Sequence, residues 1–160
     1  MRIRRARVDD SEAVIGLVGR FAHRKLMLPL KKDFLFEHIN DYFICEDRGR
    51  PIGVVFLRVY SERLAEIRSL AVDEKHQSRG IGRKLVLHGL KEASSLGINE
   101  VFALTVVPGF FTKLGFKTLR KEKYPEKIWL DCVSCPKKDD CDETTVAIHL
   151  KKRRTSDVER

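Results

Sequence analysis

The chain has no apolar run near the roughly 20 residues needed to cross a bilayer, so no transmembrane helix is expected. The basic opening Met1-Arg2-Ile3-Arg4-Arg5-Ala6-Arg7 meets the acidic pair Asp9-Asp10 before any apolar signal core, and secretion is not indicated. Cysteine is scarce. Cys45 stands apart from Cys132, Cys135 and Cys141, a placement suited to reduced thiols or a metal rather than to a disulfide framework. The expected setting is therefore a reducing cytoplasm. Also missing are a G-x-G-x-x-G run and a G-K-[ST] ending, which disfavours dinucleotide and P-loop sites. No internal repeat is found.

A chain of 160 residues has the length of one globular domain with a self-sufficient core. Positive charge is in excess, +9 overall, and the tail from Lys151 to Arg160 carries +3 of it through five cations and two anions. The remainder is spread without interleaved aromatics, which favours attraction of an anionic cofactor over a nucleic-acid partner. The expected organisation is a domain over 1–150 and a basic tail over 151–160 that lacks the apolar residues needed to fold.

Local patterns give an alternating order of strands and helices. Ile3 to Val8 reads as a strand, and Asp9 with Glu12 offers a capping box for a helix carrying Val14, Leu17, Val18 and Phe21. Leu28-Pro29 interrupts the chain before a short helix from Asp33 to Asn40. Tyr42 to Glu46 and Ile52 to Tyr60 form a hairpin around Asp47-Arg48-Gly49-Arg50-Pro51. Leu64 to Val72 alternates, with Leu64, Glu66, Arg68, Leu70 and Val72 on one face. Helical spacing returns from Gly80 to Leu96, with Val86, Leu90, Ala93 and Leu96 on its apolar face, and Gly97 stands where a left-handed cap belongs. Asn99 to Val106 is a strand, Pro108 to Leu114 a short helix, and Phe116 to Leu119 and Thr144 to Leu150 the last two strands.

The most informative segment runs from Leu70 through Gln77-Ser78-Arg79-Gly80-Ile81-Gly82-Arg83, a strand that turns into a helix. A helix start has N–H groups without partners and a partial positive charge, so it can hold a pyrophosphate by its main chain. Gly80 and Gly82 remove side chains that would keep phosphates away, and Arg79 and Arg83 add charge. The same glycines can also serve close packing alone.

Gln77 to Gly82 resembles the Q/R-x-x-G-x-G/A signature of the GCN5-related N-acetyltransferases, flanked in order by Ile67 to Val72 and by Phe110-Phe111-Thr112-Lys113-Leu114-Gly115-Phe116. The resemblance spans Arg2 to Leu150. It implies an α/β fold with a twisted mixed sheet and helices on both faces, and acetyl-CoA as co-substrate. It assigns Leu70, Ala71 and Val72 to the pantetheine arm, and Ser78, Arg79, Gly80, Ile81, Gly82 and Arg83 to the pyrophosphate. Glu66 occupies the position of the family's catalytic glutamate, with a structural pairing to Arg68 as the alternative. The backbone N–H of Leu70 is the implied oxyanion donor. Where many relatives have a tyrosine that protonates the leaving thiolate, this chain has Phe111. Solvent, Tyr124 and Tyr60 remain for that role.

Met27-Leu28-Pro29, Glu66 to Val72, Val107 to Phe116, and Trp129 to Pro136 with Cys141-Asp142-Glu143 resemble the short amino-acid N-acetyltransferases related to N-acetylglutamate synthase. The implied acceptor is a small-molecule amine, the α-amino group of an amino acid such as glutamate, which would place the reaction in arginine biosynthesis. Arg68, Lys31 and Lys113 could face a dicarboxylate, Arg68 and Lys31 being the preferred substrate-binding pair. Relatives have Arg-Ser after the Leu-Pro pair, whereas this chain has Leu30-Lys31. Two other readings stand beside this one: a protein or peptide acetyltransferase of the same fold, and a non-catalytic acyl-CoA-binding module. A homodimer is left open. Cys132, Cys135 and Cys141, with Asp142, His149 or Cys45, have a spacing compatible with zinc, but packing of a tight loop is favoured and no metal site is assigned.

Overall fold

A computed structural model describes residues 1–120, 123–124, 135 and 142–151. The strings around Trp129, Cys132 and Cys141, and the tail beyond Lys151, lie outside the described residues. Contacts divide the chain into two compact units, Met1–Arg58 with Ile67–Ala93, and Val59–Glu66 with Ser94–Arg160. Among the described residues no helix is long and apolar enough to cross a membrane.

In the first unit the strand order is β1 (Arg2–Arg5), β2 (Tyr42–Asp47), β3 (Arg50–Val59) and β4 (Leu64–Val72). β1, β2 and β3 pair antiparallel. The β2–β3 loop is tighter than the five residues anticipated. Arg48 and Gly49 both have positive φ (51° and 78°), the two-residue turn whose twist matches that of a hairpin. Asp47 faces Arg50, Glu46 faces Pro51, and the register then shifts so that Cys45 faces Gly53. The bulge accommodates Pro51, which has no N–H to give the ladder.

The first strand is shorter than the sequence predicts. Arg7 to Asp10 turns away through a 3-10 segment, Val8–Asp10, leaving Val8 exposed. Asp10, not Asp9, organises the start of α1 (Ser11–His23), and the expected Asp9–Glu12 capping box does not set the boundary. The Asp10 carboxylate is committed to Arg4, which donates at 2.8 and 3.0 Å, and to the Arg7 N–H at 2.7 Å. α1 buries Val14, Leu17 and Val18 with Leu35 of α2 (Lys32–Glu37) and Tyr42, Ile44, Val54 and Phe56 of the strands. Each such side chain contributes about 1.5–3 kcal/mol when removed from water.

α3 (Ile81–Ser95) packs close to β3 because Gly53 has no side chain. A Cβ there would lie 2.9 Å from Leu85 Cδ1 and 3.2 Å from Ile81 Cγ2. The helix ends before Leu96, which is 62% exposed and does not extend the apolar face as anticipated, and Gly97 caps it at φ 85°.

The second unit has the order β4, β5 (Glu100–Thr105), β7 (Thr144–His149) and β6 (Lys117–Leu119), with α4 (Pro108–Thr112) between β5 and β6. β4 and β5 run parallel through Leu64–Glu100, Ala65–Val101 and Glu66–Phe102. β5–β7 and β6–β7 are antiparallel, so the sheet is mixed, as expected. Leu64, Phe102, Tyr124 and Ala147 form a core here.

Candidate active site

β4 carries the decisive irregularity. Its bounds match the sequence pattern, but Ser69 has φ 52°. A β-branched or bulky residue would resist this left-handed conformation, and even serine adopts it uncommonly. Such a residue inside a strand bends it and breaks its alternation, so the single face running from Leu64 to Val72 does not survive past Arg68. Ala71 is buried, and Arg68, Leu70 and Val72 are half-buried.

Beyond β4 the chain forms the loop singled out by sequence. Asp73 is hydrogen-bonded to the strand below through its N–H, which donates to the Ile52 carbonyl at 2.8 Å, while its carboxylate accepts from the Lys75 N–H at 3.0 Å. The Gln77 side-chain amide donates back to the Val72 carbonyl at 3.0 Å, so the first residue of the signature ties the loop to the end of β4. Ser78 and Gly80 then take positive φ, 64° and 79°, and the Gly80 carbonyl accepts the first α-helical hydrogen bond, from Lys84, at 3.1 Å. Ser78, Arg79, Gly80 and Arg83 are exposed, Gly82 is half-buried and Ile81 anchors the turn at 1% exposure. The open edge is made of main chain, and the helix behind it is anchored in the core. This arrangement can hold an anion on N–H groups that an α-helix leaves without internal partners.

In the second unit Glu66 is 2% exposed. Tyr60 donates its hydroxyl to Glu66 Oε1 at 2.8 Å. Tyr60 also stacks over Phe102 at 5.9 Å, the residue facing Glu66 across the parallel ladder, and Phe102 stacks on Tyr124 at 4.2 Å and 12°. An apolar aromatic wall thus borders a buried carboxylate that accepts a phenol's hydrogen bond. The two tyrosines left open by sequence are thereby separated. Tyr124 donates to Glu100 Oε1 at 3.1 Å, and burial followed by the Glu100 charge pushes its pKa far up. Lys123 and His149 also lie against that carboxylate, at 3.2 and 3.6 Å. Phe111 is buried against Phe110 and Phe116 and has no proton to give.

Lys31 is exposed at the start of α2, and among the described residues no hydrogen bond or ion pair joins it to Arg68. Arg68 lies instead over the rings of Phe34 and Phe56. Arg58 and Tyr42 escaped the sequence reading because their neighbours come from other elements, while the sequence offers Tyr60 only as a candidate acid and Gln77 only as a signature letter. Among the described residues no three His, Cys, Asp or Glu side chains group in a way that could hold a metal. Cys45 is buried in β2, and burial pushes its thiol pKa up.

A strand with a left-handed residue at Ser69 that runs through a glycine bend into an anchored helix is a layout suited to an acyl-transfer class of protein. Residues 8–116 match the model of the Acetyltransferase (GNAT) family, and the chain belongs to that family. It is 43% identical over 141 residues to an uncharacterised N-acetyltransferase of Chlorobaculum tepidum, covering 88% of this chain and 91% of that one. It is 34% identical over 117 residues to an amino-acid acetyltransferase of Mycobacterium tuberculosis, covering 71% and 67%. A Mycobacterium tuberculosis protein solved in complex with CoA and NLQ superposes with a TM-score of 0.82 at 27% identity, over 94% of this chain and 100% of that one. N-acetylglutamate synthase from Neisseria gonorrhoeae, complexed with coenzyme A and N-acetyl-glutamate, shares the fold with a TM-score of 0.84 at 23% identity. The match covers 94% of this chain and 35% of the synthase.

Proposed function

We propose that this protein transfers the acetyl group of acetyl-CoA to the α-amino group of an amino acid, glutamate being the first candidate. The observation that carries this reading is the main-chain anion cradle at Ser78–Arg83, whose open edge exposes Ser78, Arg79, Gly80 and Arg83. In this reading the N–H groups of the cradle hold the pyrophosphate, with Arg79 and Arg83 adding charge, and Leu70, Ala71 and Val72 line the pantetheine arm. Ser69 bends β4 immediately before Leu70, whose N–H would face the developing oxyanion.

Glu66 takes the proton of the acceptor ammonium, and the neutral amine attacks the thioester carbonyl carbon. The carbon–sulfur bond breaks as the amide forms, coenzyme A leaves as its thiolate, and the second amine proton passes through solvent to that sulfur. Tyr60 donates to Glu66 Oε1 and holds the carboxylate in place. Support for an amino-acid acceptor comes from the 34% identical amino-acid acetyltransferase. Support for coenzyme A comes from the complex of the structural relative.

Release of free thiol from acetyl-CoA, measured with a panel of amino acids and short peptides, tests this reading. Turnover with glutamate or another free amino acid is expected. Turnover with peptides only would replace the acceptor, and no turnover with tight coenzyme A binding would leave a binding module. Glu66→Gln should lower kcat by at least about 100-fold while acetyl-CoA affinity is kept.

A further inference from the structure

Three aromatic rings of the second unit stand in a column between two glutamates. Tyr60 leans on Phe102 at 5.9 Å and 29°, and Phe102 lies on Tyr124 at 4.2 Å and 12°. At one end the Tyr60 hydroxyl donates to Glu66 Oε1 at 2.8 Å, and at the other the Tyr124 hydroxyl donates to Glu100 Oε1 at 3.1 Å. Phe102 is wholly buried and Tyr124 is 2% exposed, whereas Tyr60 is half-buried. The two glutamates belong to the parallel strand pair, in which Leu64 faces Glu100 and Glu66 faces Phe102.

The Glu100 end of the column is tied down at several points. Its N–H donates to the Arg63 carbonyl at 3.0 Å, and its carboxylate also lies against Lys123 at 3.2 Å and His149 at 3.6 Å. Burial and then the Glu100 charge push the Tyr124 pKa far up, so that phenol is a standing donor. Aromatic pairs hold preferred separations and angles, so a ring fixed at one end limits the rings stacked on it. A catalytic carboxylate works only when packed neighbours hold it in productive geometry, and a misplacement on the order of 1 Å is costly.

We propose that Glu100 is a positioning residue for acetyl transfer: through Tyr124 and Phe102 it sets the ring of Tyr60, and with it the direction from which Glu66 receives its hydrogen bond. Glu100 acts here at a distance, without touching the reacting atoms. The inference rests on the reading of Glu66 as the base, whereas the column itself rests on the ring and hydroxyl contacts alone.

The test is a double-mutant cycle on the full-length protein, read in kcat for the amino acid that turns over best. Tyr124→Phe keeps the ring and removes the hydroxyl; it should lower kcat about three- to tenfold, with the acetyl-CoA KM unchanged. Placed on Tyr60→Phe it should add less than about twofold, because the contact it acts through is already gone. A tyrosine that only supports the fold would lower kcat by the same factor in both backgrounds. Glu100→Ala should match Tyr124→Phe, and Glu100→Gln, whose amide oxygen still accepts from Tyr124, should return kcat to within about twofold of wild type. Equal factors in both backgrounds, or no rescue by Glu100→Gln, overturn the proposal. Should Glu100→Ala fail to fold, Tyr124→Phe and Glu100→Gln carry the test. The chain has three tyrosines, so fluorotyrosine labelling gives a fluorine spectrum in which the line lost in Tyr60→Phe belongs to Tyr60. That line should shift in Tyr124→Phe and Glu100→Ala and return in Glu100→Gln, a reading that needs no turnover. A shifted line with turnover indifferent to Glu66→Gln upholds the column and removes the base. An unmoved line with turnover that depends on Glu66 does the reverse.

Discussion

Gly80→Ala isolates the conformational requirement of the proposed phosphate cradle. Gly80 stands at φ 79°, and an added methyl group would meet nothing within 4 Å, so the substitution introduces strain and no clash. A left-handed L-residue costs roughly 1–2 kcal/mol. Restricting the unfolded chain returns roughly 0.4–1 kcal/mol of this. The net loss is therefore about 1 kcal/mol, small beside a typical domain stability. Relief of that strain rotates the peptide leading into α3 and moves the N–H groups of Ile81 and Gly82. If those groups bind pyrophosphate, a shift costing about 1 kcal/mol raises the acetyl-CoA dissociation constant about fivefold.

Gly97→Ala is the matched control, because Gly97 has φ 85°, is equally open, and sits at the other end of the same helix. Urea denaturation should give both variants similar losses. Only Gly80→Ala should show the weaker acetyl-CoA binding, read by titration and by KM. Equal acetyl-CoA constants in the two variants would refute the cradle, and a loss above about 3 kcal/mol at Gly80 would show that the bend is packed rather than open.

Three further outcomes follow from particular contacts. Tyr60→Phe removes the hydroxyl that donates to Glu66 at 2.8 Å; steady-state kinetics should show kcat reduced by about tenfold or more with acetyl-CoA KM unchanged, and an unchanged kcat would remove Tyr60 from the site. Burial acts to raise the Asp10 pKa, but hydrogen bonds from Arg4 and the Arg7 N–H outweigh it and hold the carboxyl below its ordinary value of 3.8. Its stabilisation is thus complete above that value and is lost as pH falls below it. Asp10→Asn should cost about 2 kcal/mol at pH 7 and flatten the acid limb of the stability curve, read by denaturation from pH 7 to acid; an unchanged acid limb would reassign the pairing to the surface. In Gly89→Ala the new Cβ would come within 2.7 Å of Ile67 Cδ1. Overpacking of about 1–3 kcal/mol then exceeds the helix-propensity gain of about 1 kcal/mol, so the melting temperature should fall, and a rise would show that Ile67 can step aside.

Elements whose physics is local were legible in advance. β4 lies where its alternation put it, α3 begins one residue after the glycine that opens it, and Gly97 takes the left-handed cap its position implied. The hairpin was legible as a turn, but its length was not, because pairing of Asp47 with Arg50 is a property of two strands together. Choosing between Asp9 and Asp10 for the start of α1 depended on Arg4, whose guanidinium arrives from β1. No spacing rule could single out Ser69 as the residue that breaks β4, since serine has no strong preference for a left-handed conformation and the distortion is imposed by its surroundings.

By itself the sequence determined the glycine bend and the strand before it, because strand alternation, helix starts and glycine freedom act over a few neighbouring residues, whereas Glu66 was singled out by the family resemblance. Tertiary structure alone decided that Glu66 meets Tyr60 and that Tyr124 is taken by Glu100. It also set Tyr42 and two arginines about the Phe34 and Phe56 rings. Those partners are joined by packing and sheet register across residues distant in the chain, and the charge and desolvation they impose exist only once the side chains have been brought together.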